Sequence, residues 1–286
     1  MDITGKTRVL GIIGWPVAHS LSPLMQNAAL EAMGLDWIYV PFAVRQEELA
    51  RAVEGLRALG VTGFNVTIPH KTAIIPFLDR ITPEARLVGA VNTVKREGDE
   101  LVGYNTDGPG FIRSLAEDLG FNPAGKRILV LGAGGAGRAA VASLAQAGAE
   151  AVVIANRNVA RGEELVAEFR GALGGTQFAA MPLDIPLINA KVQDFDLLVN
   201  TTSVGMGETA FEWLDISRMT PAASVYDMVY APLETPLLAE ASRAGRRCAN
   251  GIGMLVAQGE CALAVWTGME PPSGVMRRRI LAALDS

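Results

Sequence analysis

Between a strand-like run and a helical one, Gly132-Ala133-Gly134-Gly135-Ala136-Gly137 forms the pattern G-x-G-x-x-G. Each glycine answers a physical need. Gly132 permits a tight turn, Gly134 lets a pyrophosphate approach the backbone, and Gly137 lets helix and strand pack closely. With Gly135 and Ala136 beginning the helix, free N–H groups and the positive end of its dipole face the phosphates. Gly-rich turns are common in α/β folds. Here, however, the loop follows the run 128–131, opens a helix and precedes a second strand, as a dinucleotide site requires. An Asp or Glu ending that second strand would bind a ribose 2′-hydroxyl. The chain instead has Asn156-Arg157-Asn158, with Arg161 a turn later. A neutral residue followed by two guanidiniums suits a 2′-phosphate, and so NADP, although both arginines would also be at home as solvated residues at a helix start.

The first half carries four polar clusters at strand ends. Ser20 and Ser22, in Trp15-Pro16-Val17-Ala18-His19-Ser20-Leu21-Ser22-Pro23, place two hydroxyls at a helix N-terminus, a natural carboxylate site. Ser22 alone would read equally well as a plain N-cap. Asn65-Val66-Thr67-Ile68-Pro69-His70-Lys71 sets Asn65 and Thr67 on one face of a strand, with Lys71 just past its end. The other clusters are Gly89-Ala90-Val91-Asn92-Thr93 and Gly103-Tyr104-Asn105-Thr106-Asp107-Gly108. His70 is tempting as a base, but neighbours on an extended segment point to opposite faces, so it does not share the face of Lys71. Lys71 could be a surface lysine, and Asp107 could cap the helix that follows it.

Apolar runs alternate with helical patterns almost throughout. Strands are predicted at 9–13, 37–44, 63–68, 91–96 and 101–104, the last two flanking a hairpin turn at Gly98-Asp99-Glu100, with helices from Ser22 to Gly34 and at 46–59. A second unit follows, with helices at 108–119, 136–147 and 160–170 and strands at 128–131, 151–155, 176–180, 196–200 and 224–228. Repeated β-α units imply parallel sheets with right-handed crossovers in both halves.

At 286 residues, half of them hydrophobic and 19% charged, the chain suits two well-buried domains. A net charge of −5 and a pI near 5.2 weigh against nucleic acid or an anionic membrane as partner. No run of about 18 residues is apolar enough to span a bilayer. The N-terminus lacks a signal-peptide pattern, and Cys248 and Cys261 read as thiols of a reducing compartment. The two histidines, His19 and His70, stand apart, so no metal is expected.

Together these clusters, in order and over nearly the whole chain, resemble the signature motifs of the shikimate dehydrogenase family, which includes shikimate/quinate enzymes. Asn200-Thr201-Thr202-Ser203-Val204-Gly205-Met206, Tyr226-Asp227-Met228-Val229-Tyr230-Ala231-Pro232 and the segment 251–258 are similar to later family segments. The resemblance implies an α/β fold of two domains with the active site in the cleft between them. Residues 1–106 plus 247–286 would form a substrate domain with a mainly parallel sheet, and 107–246 a Rossmann-like NADP domain. It implies NADPH-dependent, reversible reduction of 3-dehydroshikimate to shikimate, a step toward chorismate and the aromatic amino acids. Lys71 and Asp107 match the catalytic pair, with Lys71 as acid/base. Ser20 and Ser22 match the carboxylate site; Asn65, Thr67, Asn92 and Gln258 match ligands of the ring hydroxyls, with Tyr226 nearby. Asn156, Arg157 and Arg161 match the adenosine-phosphate clamp, and Asn158 stands where many NADP-using relatives carry Thr. Thr201 and Gly251 fall in cofactor segments, and Met254 would lie near the nicotinamide. The expected protein is a cytoplasmic oxidoreductase, monomeric or homodimeric, acting on a small molecule. A broader quinate/shikimate enzyme using NAD remains the nearest alternative, against which Asn156-Arg157 weighs. A non-catalytic sensor of shikimate or quinate should lack Lys71, Asp107 or the glycine loop, and all three are present.

Overall fold

The structure is a computed structural model that describes residues 2–207 and 209–284. The chain divides into two compact units, one comprising residues up to Thr106 and from Val256 onward, the other Asp107–Leu255.

The first unit begins with β1 (Arg8–Gly14), α1 (Ser22–Ala32), β2 (Trp37–Ala43), α2 (Leu49–Ala58) and β3 (Gly63–Val66). It continues with β4 (Arg80–Ile81), α3 (Pro83–Val88), β5 (Thr93–Glu97) and β6 (Glu100–Tyr104). The six strands form one sheet in the order β2-β1-β3-β5-β6-β4. β1 pairs in parallel with β2 and β3, as β4 does with β6. The sheet is not wholly parallel as β-α repetition predicts, because β5 and β6 form a hairpin that pairs antiparallel with β3. Gly98, at φ +64°, supplies the left-handed residue of that turn. Ile13, Phe64, Val66 and Val94 pack from the sheet, with Val91 just before β5, against Val53 and Leu56 of α2 in one apolar cluster.

The second unit runs α4 (Asp107–Leu119), β7 (Arg127–Leu131), α5 (Gly135–Gln146), β8 (Ala151–Asn156), α6 (Val159–Ala172) and β9 (Gln177–Pro182). Then come α7 (Ile185–Lys191), β10 (Leu197–Asn200), β11 (Ser224–Asp227), α8 (Pro236–Arg243) and β12 (Arg247–Ala249). All pairings are parallel, in the order β12-β11-β10-β7-β8-β9, the doubly wound Rossmann arrangement. Central strands such as β7 (RILVL) and β10 (LLVN) are almost continuously apolar, as strands covered on both faces must be. The order reverses between β7 and β10, the switch point where ligands of such sheets bind.

The sequence reading returns the chain to the first unit at residue 247, but residues 247–249 are the strand β12, bonded to β11 of the second sheet. The division falls instead within α9 (Ile252–Thr267), between Leu255 and Val256. α10 (Val275–Leu284) packs on α1. Among the described residues no helix is long and apolar enough to cross a membrane.

Candidate functional site

In the second unit, β7 ends in Gly132 at φ +108°, a backbone that non-glycine residues avoid. A Cβ there would stand 2.7 Å from Thr201 Oγ1, which donates 2.8 Å to the Leu131 carbonyl and so ties the end of β10 to the loop. A Cβ on Gly137 would meet the Gly132 carbonyl at 2.5 Å, so helix and turn touch only because that position is glycine. Gly134 is the N-cap of α5 and faces open space, leaving the helix N-terminus bare, with Gly135 and Ala136 in its first turn. From the neighbouring strand Asn156 Oδ1 accepts from the Ala133 N–H (3.3 Å), while its Nδ2 donates to the Asn158 carbonyl (2.8 Å). One side chain thus shapes both the glycine loop and the turn carrying Arg157. Arg157, Asn158 and Arg161 are exposed, and neither guanidinium has an ion-pair partner among the described residues. A space that a Cβ would fill, bare N–H groups and two available guanidiniums fit a dinucleotide with a 2′-phosphate.

In the first unit the polar clusters converge on one buried network. Asn65 Oδ1 accepts from the Tyr39 phenol at 2.7 Å, and its Nδ2 donates to the Asn92 carbonyl and to Thr93 Oγ1, each at 3.0 Å. Asn92 Nδ2 donates to Thr106 Oγ1 (2.9 Å), and its Oδ1 accepts from the Thr106 N–H (2.7 Å). Thr67 is half-buried beside Gly14, whose missing Cβ leaves room for the Thr67 methyl. Lys71 is half-buried, and its carbonyl accepts from Val91 N–H at 2.8 Å. His70 is buried in the interior, where Nε2 meets the Val44 carbonyl at 2.7 Å and latches the loop. Asp107 is buried as the first residue of α4, where a carboxylate also meets the positive end of the helix dipole.

Ser22 does not cap α1. The N-cap is Leu21, which makes no side-chain cap bond, and Ser22 is the first helical residue. Its amide instead donates to Ser20 Oγ at 3.3 Å, which holds the two serines together. Gln258 lies half-buried on α9. Gly251 precedes that helix with no room for a side chain, since a Cβ would strike the Met228 carbonyl, and Met254 is buried in its first turn.

Tyr226 is fully buried, edge-on to Phe111, and its hydroxyl lies 2.7 Å from Ser114 Oγ. Ser114 in turn donates to Asp118 Oδ2 at 2.7 Å. Ser114 and Asp118 are functional candidates beyond the sequence motifs, and their i, i+4 spacing on one helix face is the local signal for the pair. Tyr39 has no such signal, because only the paired strands bring its phenol to Asn65.

A doubly wound sheet with a phosphate-binding glycine loop, in one chain with a second α/β unit that carries a polar network and a lysine, defines a two-domain nicotinamide-dependent oxidoreductase. Residues 12–94 match the shikimate dehydrogenase substrate binding domain, 114–213 the shikimate / quinate 5-dehydrogenase family, and 251–281 the shikimate 5′-dehydrogenase C-terminal domain. The chain is 88% identical to the shikimate dehydrogenase (NADP(+)) of Geobacter metallireducens over 99% of both chains. A crystal structure of a shikimate dehydrogenase in complex with NADP+ superposes with a TM-score of 0.90 at 39% identity, covering 99% of this chain and 98% of the other. The shikimate 5-dehydrogenase of Listeria monocytogenes, crystallised with shikimate and NAD, gives 0.91 at 36% identity over 98% of each. The chain belongs to the shikimate dehydrogenase family.

Proposed function

We propose that the chain interconverts 3-dehydroshikimate and shikimate with NADP(H), and that Lys71 handles the proton at the reacting oxygen while Asp107 orients it. What supports this reading is that each residue is tied through a backbone neighbour to the segment around Asn92. Lys71 is held through its carbonyl by Val91, and Asp107 directly follows Thr106, whose N–H donates to Asn92 Oδ1.

NADP(H), when bound, supplies the hydride chemistry. The glycine loop with Gly132, Gly134, Gly135, Ala136 and Gly137 would receive its pyrophosphate, while Asn156, Arg157, Asn158 and Arg161 would hold the adenosine phosphate. Thr201, Gly251 and Met254 complete that side of the site. Ser20 and Ser22 would receive the substrate carboxylate, with Asn65, Thr67, Asn92 and Gln258 reading the ring hydroxyls and Tyr226, buried behind its bond to Ser114, supporting the pocket without touching the ring. In the reducing direction Lys71 Nζ gives a proton to the ketone oxygen as it becomes the hydroxyl, and in the oxidising direction Nζ takes that proton back. The Asp107 carboxylate would orient the Lys71 side chain toward that oxygen. This reading is of a cytoplasmic enzyme, monomeric or homodimeric.

The test crosses shikimate and quinate with NADP+ and NAD+, following nicotinamide absorbance, and repeats the productive pair with Lys71→Ala. A positioned acid/base is worth about 10²–10⁴ in rate, so kcat should fall by that factor while the shikimate KM changes only a few-fold. A kcat within a few-fold of wild type would reduce Lys71 to a binding residue. Comparable turnover with quinate or NAD+ would move the chain to the broader branch of the family.

A further inference from the structure

We propose that Tyr39 is a positioning residue of the substrate pocket, whose phenol restricts Asn65 to accepting a hydrogen bond from a ligand hydroxyl. The inference rests on the reading of Asn65 as a ligand of a ring hydroxyl and adds Tyr39 as the residue that fixes how Asn65 does so.

The hydrogen-bond capacity of Asn65 can be accounted for in full. Nδ2 lies 3.0 Å from the Asn92 carbonyl, which can only accept, so the amide orientation is fixed. The second N–H is taken by Thr93 Oγ1. Oδ1 has two lone pairs, and the Tyr39 phenol occupies one at 2.7 Å. A ligand therefore finds a single acceptor site. A hydroxyl satisfies it, whereas a ketone or carboxylate oxygen would meet it lone pair to lone pair. In the 3-dehydroshikimate–shikimate pair the reacting oxygen alternates between ketone and hydroxyl. Asn65 consequently reads one of the ring hydroxyls present in both partners, and the reacting oxygen is left to other groups.

Tyr39 is built to hold this role. Asn27 of α1 clamps its backbone, with Nδ2 donating to the Tyr39 carbonyl (2.8 Å) and Oδ1 accepting from the Tyr39 N–H (2.9 Å). Its ring packs at 6.1 Å on Trp266 of α9, whose indole donates to the Val94 carbonyl in the space left by Gly63. Burial keeps the phenol protonated well beyond the ordinary tyrosine range, against an opposing hydrogen bond from Ser22. The elements that carry Ser22, Asn65 and Gln258 all reach this one side chain.

The test is a double-mutant cycle read by steady-state kinetics well below each variant's melting temperature. Tyr39→Phe keeps the ring and should raise the shikimate KM about tenfold, the worth of one hydrogen bond, with NADP+ KM unchanged. A fluorinated tyrosine at position 39, which keeps the donor, should restore KM to within about twofold of wild type. On an Asn65→Ala background Tyr39→Phe should add less than about twofold, because it acts through the missing amide. A Tyr39→Phe effect of full size on that background, or an unchanged KM in the single variant, overturns the inference. An unchanged KM in Asn65→Ala overturns the substrate role of Asn65 and the inference with it, which distinguishes the two failures.

Discussion

Asn200 and Asp227 stand opposite each other in the β10–β11 register, and Asn200 Nδ2 donates 2.8 Å to Asp227 Oδ1. The same carboxylate accepts from Val229 N–H (3.0 Å) and Thr235 Oγ1 (2.7 Å), while Asn200 Oδ1 receives both the N–H and the hydroxyl of Thr202. This fully buried pair closes the loops after two central strands, at the edge where the glycine loop lies. Burial raises the Asp227 pKa above the ordinary aspartate value, against three stabilising hydrogen bonds. A raised folded-state pKa means that the folded protein holds this proton more tightly than the unfolded chain. The stability contribution is therefore full below the unfolded value, near ~3.9, and declines as pH rises through the folded one. Asp227→Asn keeps an oxygen for Asn200 and Val229 and can donate to Thr235. The wild-type-minus-Asn difference in unfolding free energy should thus fall as pH rises from about 4, in denaturant titrations at a series of pH values. A flat difference would show that the carboxyl is not perturbed. Asp227→Ala strands three donors and should cost about 3 kcal/mol or more at neutral pH.

Two glycines of the same loop should separate folding from cofactor binding. Gly134 has an ordinary φ of −82° and nothing within 4 Å of an added Cβ, so Gly134→Ala should leave Tm within about 2 °C of wild type. If a pyrophosphate occupies that space, NADP+ affinity should still fall at least about tenfold. In Gly137→Ala the new Cβ presses on the Gly132 carbonyl, so stability and affinity should fall together. Calorimetric melting and cofactor titration of the two variants distinguish the cases. Unchanged NADP+ affinity in a folded Gly134→Ala would remove the pyrophosphate from this loop.

Arg157 is exposed and makes no ion pair among the described residues, so its loss costs the fold little. A guanidinium bound to a phosphate is worth about 1.5–3 kcal/mol, so Arg157→Ala should raise the NADP+ KM roughly ten- to a hundredfold. The NAD+ KM should stay within about twofold, since that cofactor has no 2′-phosphate to lose. Added salt should shrink the wild-type preference more than that of the variant, which keeps only Arg161 for the phosphate. Equal losses for the two cofactors would mean that Arg157 contacts something they share.

The features legible in the sequence are those where backbone geometry dictates residue type. The glycine loop announces itself because positions 132 and 137 tolerate no side chain, and β7 and β10 because strands buried on both faces must be apolar throughout. β4 is two residues long and exists only because Arg80 and Ile81 pair with β6, which no local pattern reveals. α7 and α8 are short, but each carries a local signal: Asp184 and Thr235 accept from the third residue on, with Pro186 second and Pro236 first in the helix that follows. The Tyr39–Asn65 and Ser114–Tyr226 bonds join residues 26 and 112 positions apart and follow only from the folded strand order. At the site, residue types were readable one by one, whereas their shared network was not.

Ser22 and Thr82 show how one sequence signal serves two ends. Each precedes a proline at the start of a helix, the pattern of an N-cap. Thr82 is such a cap, its hydroxyl accepting from Ala85 N–H at 3.2 Å. Ser22 lies one residue inside its helix and makes no cap bond; its buried hydroxyl faces the Tyr39 phenol instead. Thr82→Ala should therefore lower stability by about 1 kcal/mol and leave the kinetics alone. Ser22→Ala removes no cap, and losing its contact with the Tyr39 phenol should cost no more than about 1 kcal/mol. If Ser22 receives the substrate carboxylate, a charge-assisted hydrogen bond is lost, and the shikimate KM should rise about tenfold or more with NADP+ KM unchanged. Denaturation and steady-state kinetics on the two variants, run side by side, check both halves of the contrast. A Ser22→Ala protein that loses stability as Thr82→Ala does, with an unchanged KM, would return Ser22 to a structural role.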